Sequence, residues 1–393
     1  MRRLSSALLL SCLLLTLIAG PVHAQEPTTD PRQPLPPTWT YTPTFVATAT
    51  PRPIPTRVPT ITPSPVPSPW PTYPPAPRAV RLDGMTLVWQ EYNGCAAAAL
   101  TMLLFYHGWD GTRDQVSRGI KPQSGDVSVR GIEMVRFVEA QGLKAVERTG
   151  GNLDVIRHLL AAGFPVLVEN AYNPGGSDWM GHNRVIMGYD DAAAVVYTFD
   201  SVLGNGPDDT GRAISFIDFY DLWQPFNHTY LVVYPPQYEP TIRQILGPQW
   251  NATANAAQAL ARAEQEIERN PDNAYAMFNL GTALLTLGRA EEAITAFERA
   301  LDLGLPWRYL WYQFGPLQAY LQAERYENVI GLAEEILNTT RSVEEVYFYM
   351  GQAYTALGDS QRAATSFQRA LAANPNYTEA SLALERATAN GDE

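Results

Sequence analysis

Cysteine is scarce in this sequence: Cys12 and Cys95 are the only two in 393 residues. Cys12 falls in an amino-terminal apolar run that reads as a removable export signal, so the remaining thiol has no partner and a disulfide framework is excluded. Basic residues are also few, 28 against 40 acidic ones, giving a formal charge of −12 at pH 7. A surface that neutralises phosphates needs clustered lysine and arginine, so no nucleic-acid partner is expected. No later run is apolar enough to cross a membrane. There is no H-E-x-x-H, no cysteine pair, no carboxylate cluster at ligand spacing and no glycine-rich phosphate loop, so neither a metal nor a cofactor is expected.

Residues 1–24, MRRLSSALLLSCLLLTLIAGPVHA, set Arg2 and Arg3 before an apolar stretch and end with Val22 and Ala24 flanking a cleavage point. This is the pattern of a secretory signal peptide. An uncleaved anchor is the alternative, because the apolar run is near the short end of what spans a bilayer. Residues 25–80 read as a Pro/Thr-rich disordered linker, and 18 of the 32 prolines lie between Pro27 and Pro77. Proline fixes φ and removes backbone donors, so an extended polyproline II spacer of up to ~160 Å is expected at about 3.1 Å per residue.

Residues 81–238 change character. An apolar helix after Cys95, an amphipathic helix around VRGIEMVRFVEAQG, a strand LKAVER and a helix LDVIRHLLAAG precede four short β-rich runs, FPVLVENA, HNRVIMGY, AVVYTFD and TYLVVYP. Helices first and an antiparallel sheet later make an α+β domain. Over residues 250–390 the strand signals vanish. NLGTALLTLGRAEEAITAFERAL from Asn279 and YMGQAYTALGDSQRAATSFQRAL from Tyr349 share Gly281, Leu287, Gly288, Ala293, Phe297 and Ala300 with Gly351, Leu357, Gly358, Ala363, Phe367 and Ala370 at an offset of 70, two units of 35. A divergent middle unit begins at Phe314, and helices near Ala256–Glu268 and Thr378–Ala389 would cap the stack. This segment resembles the tetratricopeptide repeat, an all-α helix-turn-helix solenoid whose concave face usually takes a peptide or protein.

Cys95 follows the turn Glu91-Tyr92-Asn93-Gly94 and opens the run CAAAALTMLLFY. A thiol at a helix N-terminus has its thiolate favoured by unpaired N–H groups and the helix dipole, which makes a nucleophile near neutral pH. Of the histidines that remain after the signal, His107 lies twelve residues along the same helix, roughly 18 Å away at 1.5 Å per residue. His158 and His228 sit among apolar positions and read as structural. His182 starts a strand, and a hairpin symmetric about Asp191 would set it directly opposite Asp200, with Cβ atoms about 5 Å apart. An acid beside an imidazole orients the ring and stabilises its protonated form.

These residues resemble the papain-like peptidases that process bacteriocin leaders: Gln90 five residues before Cys95, His182 in H-x-x-V-I-x-G-Y-D, then Asp200 closing the next strand. The resemblance implies Cys95 as nucleophile, His182 as general base, Asp200 as orienting acid and Gln90 in the oxyanion hole. Ala96-Ala97 stand where many relatives have Gly-Pro, and the Trp-Met-Gly approach to His182 is unusual. No exporter segment accompanies the domain, so leader removal coupled to export is not implied. YNPGGSDWMG, Tyr172–Gly181, reads as a mobile loop over the cleft.

The expectation is a multidomain chain, secreted or held in the cell envelope, with a Cys-His-Asp peptidase domain acting on a peptide or protein substrate. The repeat array takes a protein ligand, and a membrane enters only if the signal stays uncleaved. A catalytically silent peptide-binding module and a cell-wall amidase or transpeptidase-like enzyme on the same fold remain open.

Overall fold

The computed structural model describes residues 75–389 apart from Ser124 and residues 174–177. The signal and most of the linker therefore lie outside the described residues, as does the centre of the loop expected over the cleft. The last residues assigned to the linker do have structure. Ala79 and Val80 belong to strand β1 (Ala79–Arg81), which pairs antiparallel with Asp190 and Tyr189.

Two sets of helices enclose one antiparallel sheet. Its strands are β1, β2 (Lys144–Arg148), β3 (Val166–Tyr172), β4 (Met180–Asp190), β5 (Val195–Asp200), β6 (Arg212–Ser215) and β7 (Tyr230–Tyr234). They run in the order β2-β7-β3-β4-β5-β6, with β1 also against β4. Alternate residues point to opposite faces of a strand. Leu167, Val185, Phe199, Leu231 and Val233 accordingly pack beneath α1 (Cys95–Tyr106), α2 (Arg113–Ile120) and α3 (Gly131–Ala140). Val166, Val168, Ile186, Val196 and Val232 meet α4 (Leu153–Ala161), α5 (Phe216–Trp223) and α6 (Glu239–Leu246) on the other side.

Helix α1 is apolar all round because it is buried all round: every residue from Ala96 to Leu104 is buried. Each of its buried Leu and Met side chains contributes about 1.5–3 kcal/mol of transfer free energy. The N-terminal residue of the helix is thereby anchored by the core, and that residue is Cys95.

Eight further helices follow: α7 (Ala252–Arg269), α8 (Ala274–Thr286), α9 (Ala290–Leu303), α10 (Gly315–Gln322), α11 (Tyr326–Thr339), α12 (Glu344–Ala356), α13 (Ser360–Ala373) and α14 (Thr378–Ala389). The repeated small residues have a direct reason. A Cβ built on Gly281 would come within 2.7 Å of the Phe297 ring, and one on Gly351 within 2.5 Å of the Phe367 ring. Both phenylalanines are 1 % exposed and have no room to move. Gly351→Ala is therefore expected to destabilise by about 1–3 kcal/mol through overpacking. Gly331→Ala, on an exposed turn of α11 with nothing within 4 Å, is expected to stabilise by up to about 1 kcal/mol through helix propensity. Chemical denaturation of the two variants checks the opposite signs.

The array packs along its length against the sheet domain. On α7, Arg262 Nη1 donates to the Gly151 carbonyl at 2.6 Å, and on α8 Asn279 Nδ2 donates to that of Gln224 at 2.9 Å. Near the far end, Asn376 Nδ2 donates to the Arg118 carbonyl at 2.9 Å, and Arg136 pairs with Glu379 at 2.6 Å.

Candidate active site

The turn before α1 is tightly built. The Gly94 N–H donates to the Glu91 carbonyl at 2.9 Å, Asn93 has a left-handed backbone with φ 53, and Lys121 Nζ donates to the Asn93 carbonyl at 2.7 Å. Neither a side-chain cap nor an acidic residue occupies the first turn of the helix. Its N–H groups and the positive end of its dipole are thus available to the Cys95 sulfur. Cys95 is a free, partly accessible thiol.

The hairpin carrying His182 differs from the symmetric one expected. The turn takes four residues, Asp191–Ala194, and β4 bulges between Ile186 and Gly188, so Arg184 rather than His182 stands opposite Asp200. Nor does His182 begin its strand, which starts at Met180. The slip leaves His182 on the diagonal two residues away, on the same face, within reach of a long side chain. The contact survives: His182 Nε2 lies 3.1 Å from Asp200 Oδ1. Asp200 is wholly buried and accepts from Arg184 Nε at 2.5 Å and from the N–H groups of Val202 and Leu203 at 2.8 and 2.9 Å. Burial alone would raise its pKa. The hydrogen bond and charge of His182, together with Arg184, outweigh that and hold the carboxyl well below the usual range.

With Nε2 committed to Asp200, Nδ1 is the ring nitrogen left for the thiol, and each of the two groups favours the charged form of the other. Burial pushes the Cys95 thiol up, but the His182 hydrogen bond and charge and donors from Asn183 pull it down, for a net fall from 9.0 to about 7. Asn183 Nδ2 lies 3.8 Å from Cys95 Sγ. The His182 ring moves the other way: burial disfavours its cation, and the bonds to Asp200 and Cys95 more than restore it. A lowered thiol beside a raised imidazole favours the thiolate–imidazolium pair near neutrality.

Gln90 is stitched to the residue after the acid. Its N–H donates to the Ser201 carbonyl at 3.2 Å, and its side-chain Oε1 accepts from Ser201 Oγ at 2.8 Å. The amide nitrogen of Gln90 remains to donate. Glu169 stands opposite Asn183 on β3, with burial, then Glu147 and the Cys95 charge, pushing its pKa well up. A second negative charge beside the thiol is thus disfavoured.

Sequence spacing did not reveal Asn183, Arg184 or Ser201, although each is the immediate or next neighbour of a residue it did single out. A contribution from the array was also missed. The segment between α9 and α10, 304–314, carries Tyr309 and Tyr312 into the sheet domain. Tyr309 OH donates to the Pro225 carbonyl at 2.6 Å, and Arg308 pairs with Asp178 at 2.8 Å. A Cβ on Gly181, next to His182, would meet the Tyr312 ring at 3.1 Å. The Tyr312 hydroxyl is pushed up to about 12 by burial first and then by the Cys95 charge, so it faces the site as a neutral phenol. Trp179 completes this wall, its ring 5.7 Å from Phe226 and 5.9 Å from Tyr312.

The other histidines sit elsewhere. His107 caps the opposite end of α1, and His158 on α4 contacts the Asp154 carbonyl through Nδ1 at 2.6 Å. His228 is buried against Trp223, its ring 5.3 Å away, with Glu266 Oε1 at 3.9 Å from Nε2.

A buried helix that opens on a cysteine, laid against an antiparallel sheet carrying a His–Asp pair, defines a papain-like α+β domain, here followed by a tetratricopeptide solenoid. The comparisons agree: residues 81–231 match the Peptidase_C39 like family, and residues 252–304 and 344–377 match tetratricopeptide repeat families. The first part of the chain is thus similar to the C39-like family and the second to tetratricopeptide repeats. Among solved structures it is similar to a C39-like protein from Bacillus anthracis, with 16 % identity, 39 % of this chain and 96 % of that one covered, and a TM-score of 0.32. It is also similar to a double glycine motif protease from an AMS/PCAT transporter in complex with its leader peptide, with 19 % identity, 40 % and 94 % coverage and a TM-score of 0.30. A third is MamA from Desulfovibrio magneticus RS-1, with 17 % identity, 35 % and 77 % coverage and a TM-score of 0.33. None of the curated protein sequences matches the chain.

Proposed function

We propose that this chain is an exported cysteine peptidase that cleaves peptide bonds through Cys95, His182 and Asp200. The observation that carries the reading is the His182–Asp200 pair, Nε2 to Oδ1 at 3.1 Å, set beside the Cys95 thiol, whose pKa the imidazole lowers. The Cys95 thiolate attacks the scissile carbonyl carbon, and the oxyanion is met by the Cys95 backbone N–H and the amide of Gln90. The His182 imidazolium then gives its proton to the leaving amine. Water, deprotonated by the now neutral His182, attacks the thioester and releases the acid, which restores the thiol. Throughout, Asp200 keeps the ring in position.

The surroundings suit an extended peptide. Trp89, Val202 and Leu203 are exposed apolar side chains on the two segments that meet at Gln90 and Ser201, so residues with apolar side chains are the favoured substrates. For the array, the surface that suits a protein ligand is a groove of about 1040 Å³ between α11, α12 and α13, lined by Tyr347, Met350, Tyr354, Arg341 and Arg369.

Hydrolysis of a mixed peptide library, read by mass spectrometry with and without prior alkylation by iodoacetamide, tests the activity. Products that vanish on alkylation are expected. A library left intact by the unalkylated protein would favour a peptide-binding module, and amine release from purified peptidoglycan alone would favour a wall-acting enzyme.

A further inference from the structure

Away from the thiol, three carboxylates meet, with a fourth nearby, where the sheet domain joins the array. Glu133 lies on α3, Glu344 and Glu345 begin α12, and one oxygen from each lies within 4.8 Å of the others. Glu344 and Glu345 are wholly buried, and the Glu133 side chain is 10 % exposed. Asp126, from the loop between α2 and α3 and 1 % exposed, interacts electrostatically with all three.

Acidic groups this close are ordinarily held apart by donors, and here the donors do not suffice. Asn374 Nδ2 serves Glu133 Oε1 and Glu344 Oε1, each at 2.9 Å, the Arg130 N–H and Nη2 serve Glu133 Oε2 and Oε1 at 2.9 and 3.3 Å, and the Ser128 N–H serves Asp126 Oδ1 at 3.0 Å. Among the described residues, Asp126 Oδ2, Glu344 Oε2 and both oxygens of Glu345 are buried with no hydrogen-bond partner. Glu345 has only the Arg130 guanidinium nearby, its Nε at 3.6 Å. The acidic groups Asp126, Glu133, Glu344 and Glu345 outnumber the cations that face them, Arg130, Lys121 and Arg136. Unpaired buried carboxylates are costly enough that they are normally neutralised or coordinate a metal.

We propose that Glu133, Glu344 and Glu345, with Asp126 beside them, form a divalent-cation site of the calcium class that clamps the repeat array onto the sheet domain. The donors are all hard oxygens. Ca²⁺ takes such oxygens at about 2.3–2.6 Å, so ligands of one ion lie no more than about 5 Å apart, and the glutamate oxygens lie within 4.8 Å of one another. Linear spacing along the sequence gave no hint of the site, because residues 126 and 133 come from one domain and residues 344 and 345 from the other.

Isothermal titration of the EDTA-stripped, desalted chain with CaCl₂ tests the assignment. One Ca²⁺ per chain with a sub-millimolar Kd is expected, together with a rise of several degrees in Tm at saturation. Glu345→Gln and Asp126→Asn, on opposite sides of the junction, should each weaken binding at least tenfold, whereas Glu327→Gln, exposed on α11, should leave it unchanged. Circular dichroism identifies a variant that fails to fold, in which case the other decides. Absence of saturable binding by the wild-type chain, or unaltered binding by the folded variants, overturns the proposal.

Discussion

Replacing Cys95 with alanine is expected to reduce peptide hydrolysis by on the order of 10³-fold or more, as loss of a nucleophile does where the triad acts as a unit. Stability should change by no more than about 1 kcal/mol, because the side chain is small and only partly buried. The helix that presents it is held by the residues after it, Ala96 to Leu104. Initial rates on any peptide cleaved by the wild type, beside a urea melt of both proteins, read the two quantities separately. A folded Cys95→Ala variant that retained the wild-type rate would remove Cys95 from the mechanism.

Asp200→Ala should damage both activity and fold. The carboxylate is the buried partner of Arg184, which is itself 4 % exposed, and it satisfies two backbone N–H groups as well as His182. Removing one member of such a buried pair leaves a charge without compensation and costs about 3–5 kcal/mol. Asp200→Asn keeps an acceptor for the backbone but not the charge, and should lower turnover by as much as ~10⁴-fold with a smaller loss of stability. The pH dependence has a definite sign. The pKa of Asp200 is depressed in the folded state, so its contribution is fully present above the ordinary carboxylate value of about 3.9 and is lost as pH falls below it. Urea unfolding of wild type and Asp200→Asn at pH 7 and pH 3 should show a gap that narrows in acid.

The parts of this molecule that were legible in the sequence are those set by local pattern. Cys95 at the head of an apolar run had to open a buried helix, and the recurrence of Gly281 with Phe297 and Gly351 with Phe367 had to mark close helix pairs. The association of His182 with Asp200 was also legible, but its register was not. One bulged residue and a four-residue turn, neither signalled by composition, moved the pairing by two positions and brought in Arg184. Features that depend on two distant segments meeting were invisible for the same reason. Tyr312 reaches Gly181 only because the array folds back on the sheet domain, and Asn183 faces the thiol only because β4 runs beneath the start of α1.

The most direct test is the rate of Cys95 alkylation by iodoacetamide as a function of pH, in the wild-type chain and in His182→Ala. If His182 activates the thiol, the wild-type rate should reach half its plateau near pH 7. In the variant only the burial that raises the pKa and the Asn183 donors remain, so the midpoint should move up to or beyond the ordinary thiol value of 9.0. Two superimposable curves would contradict the account, since they would mean that His182 does not govern the reactivity of Cys95.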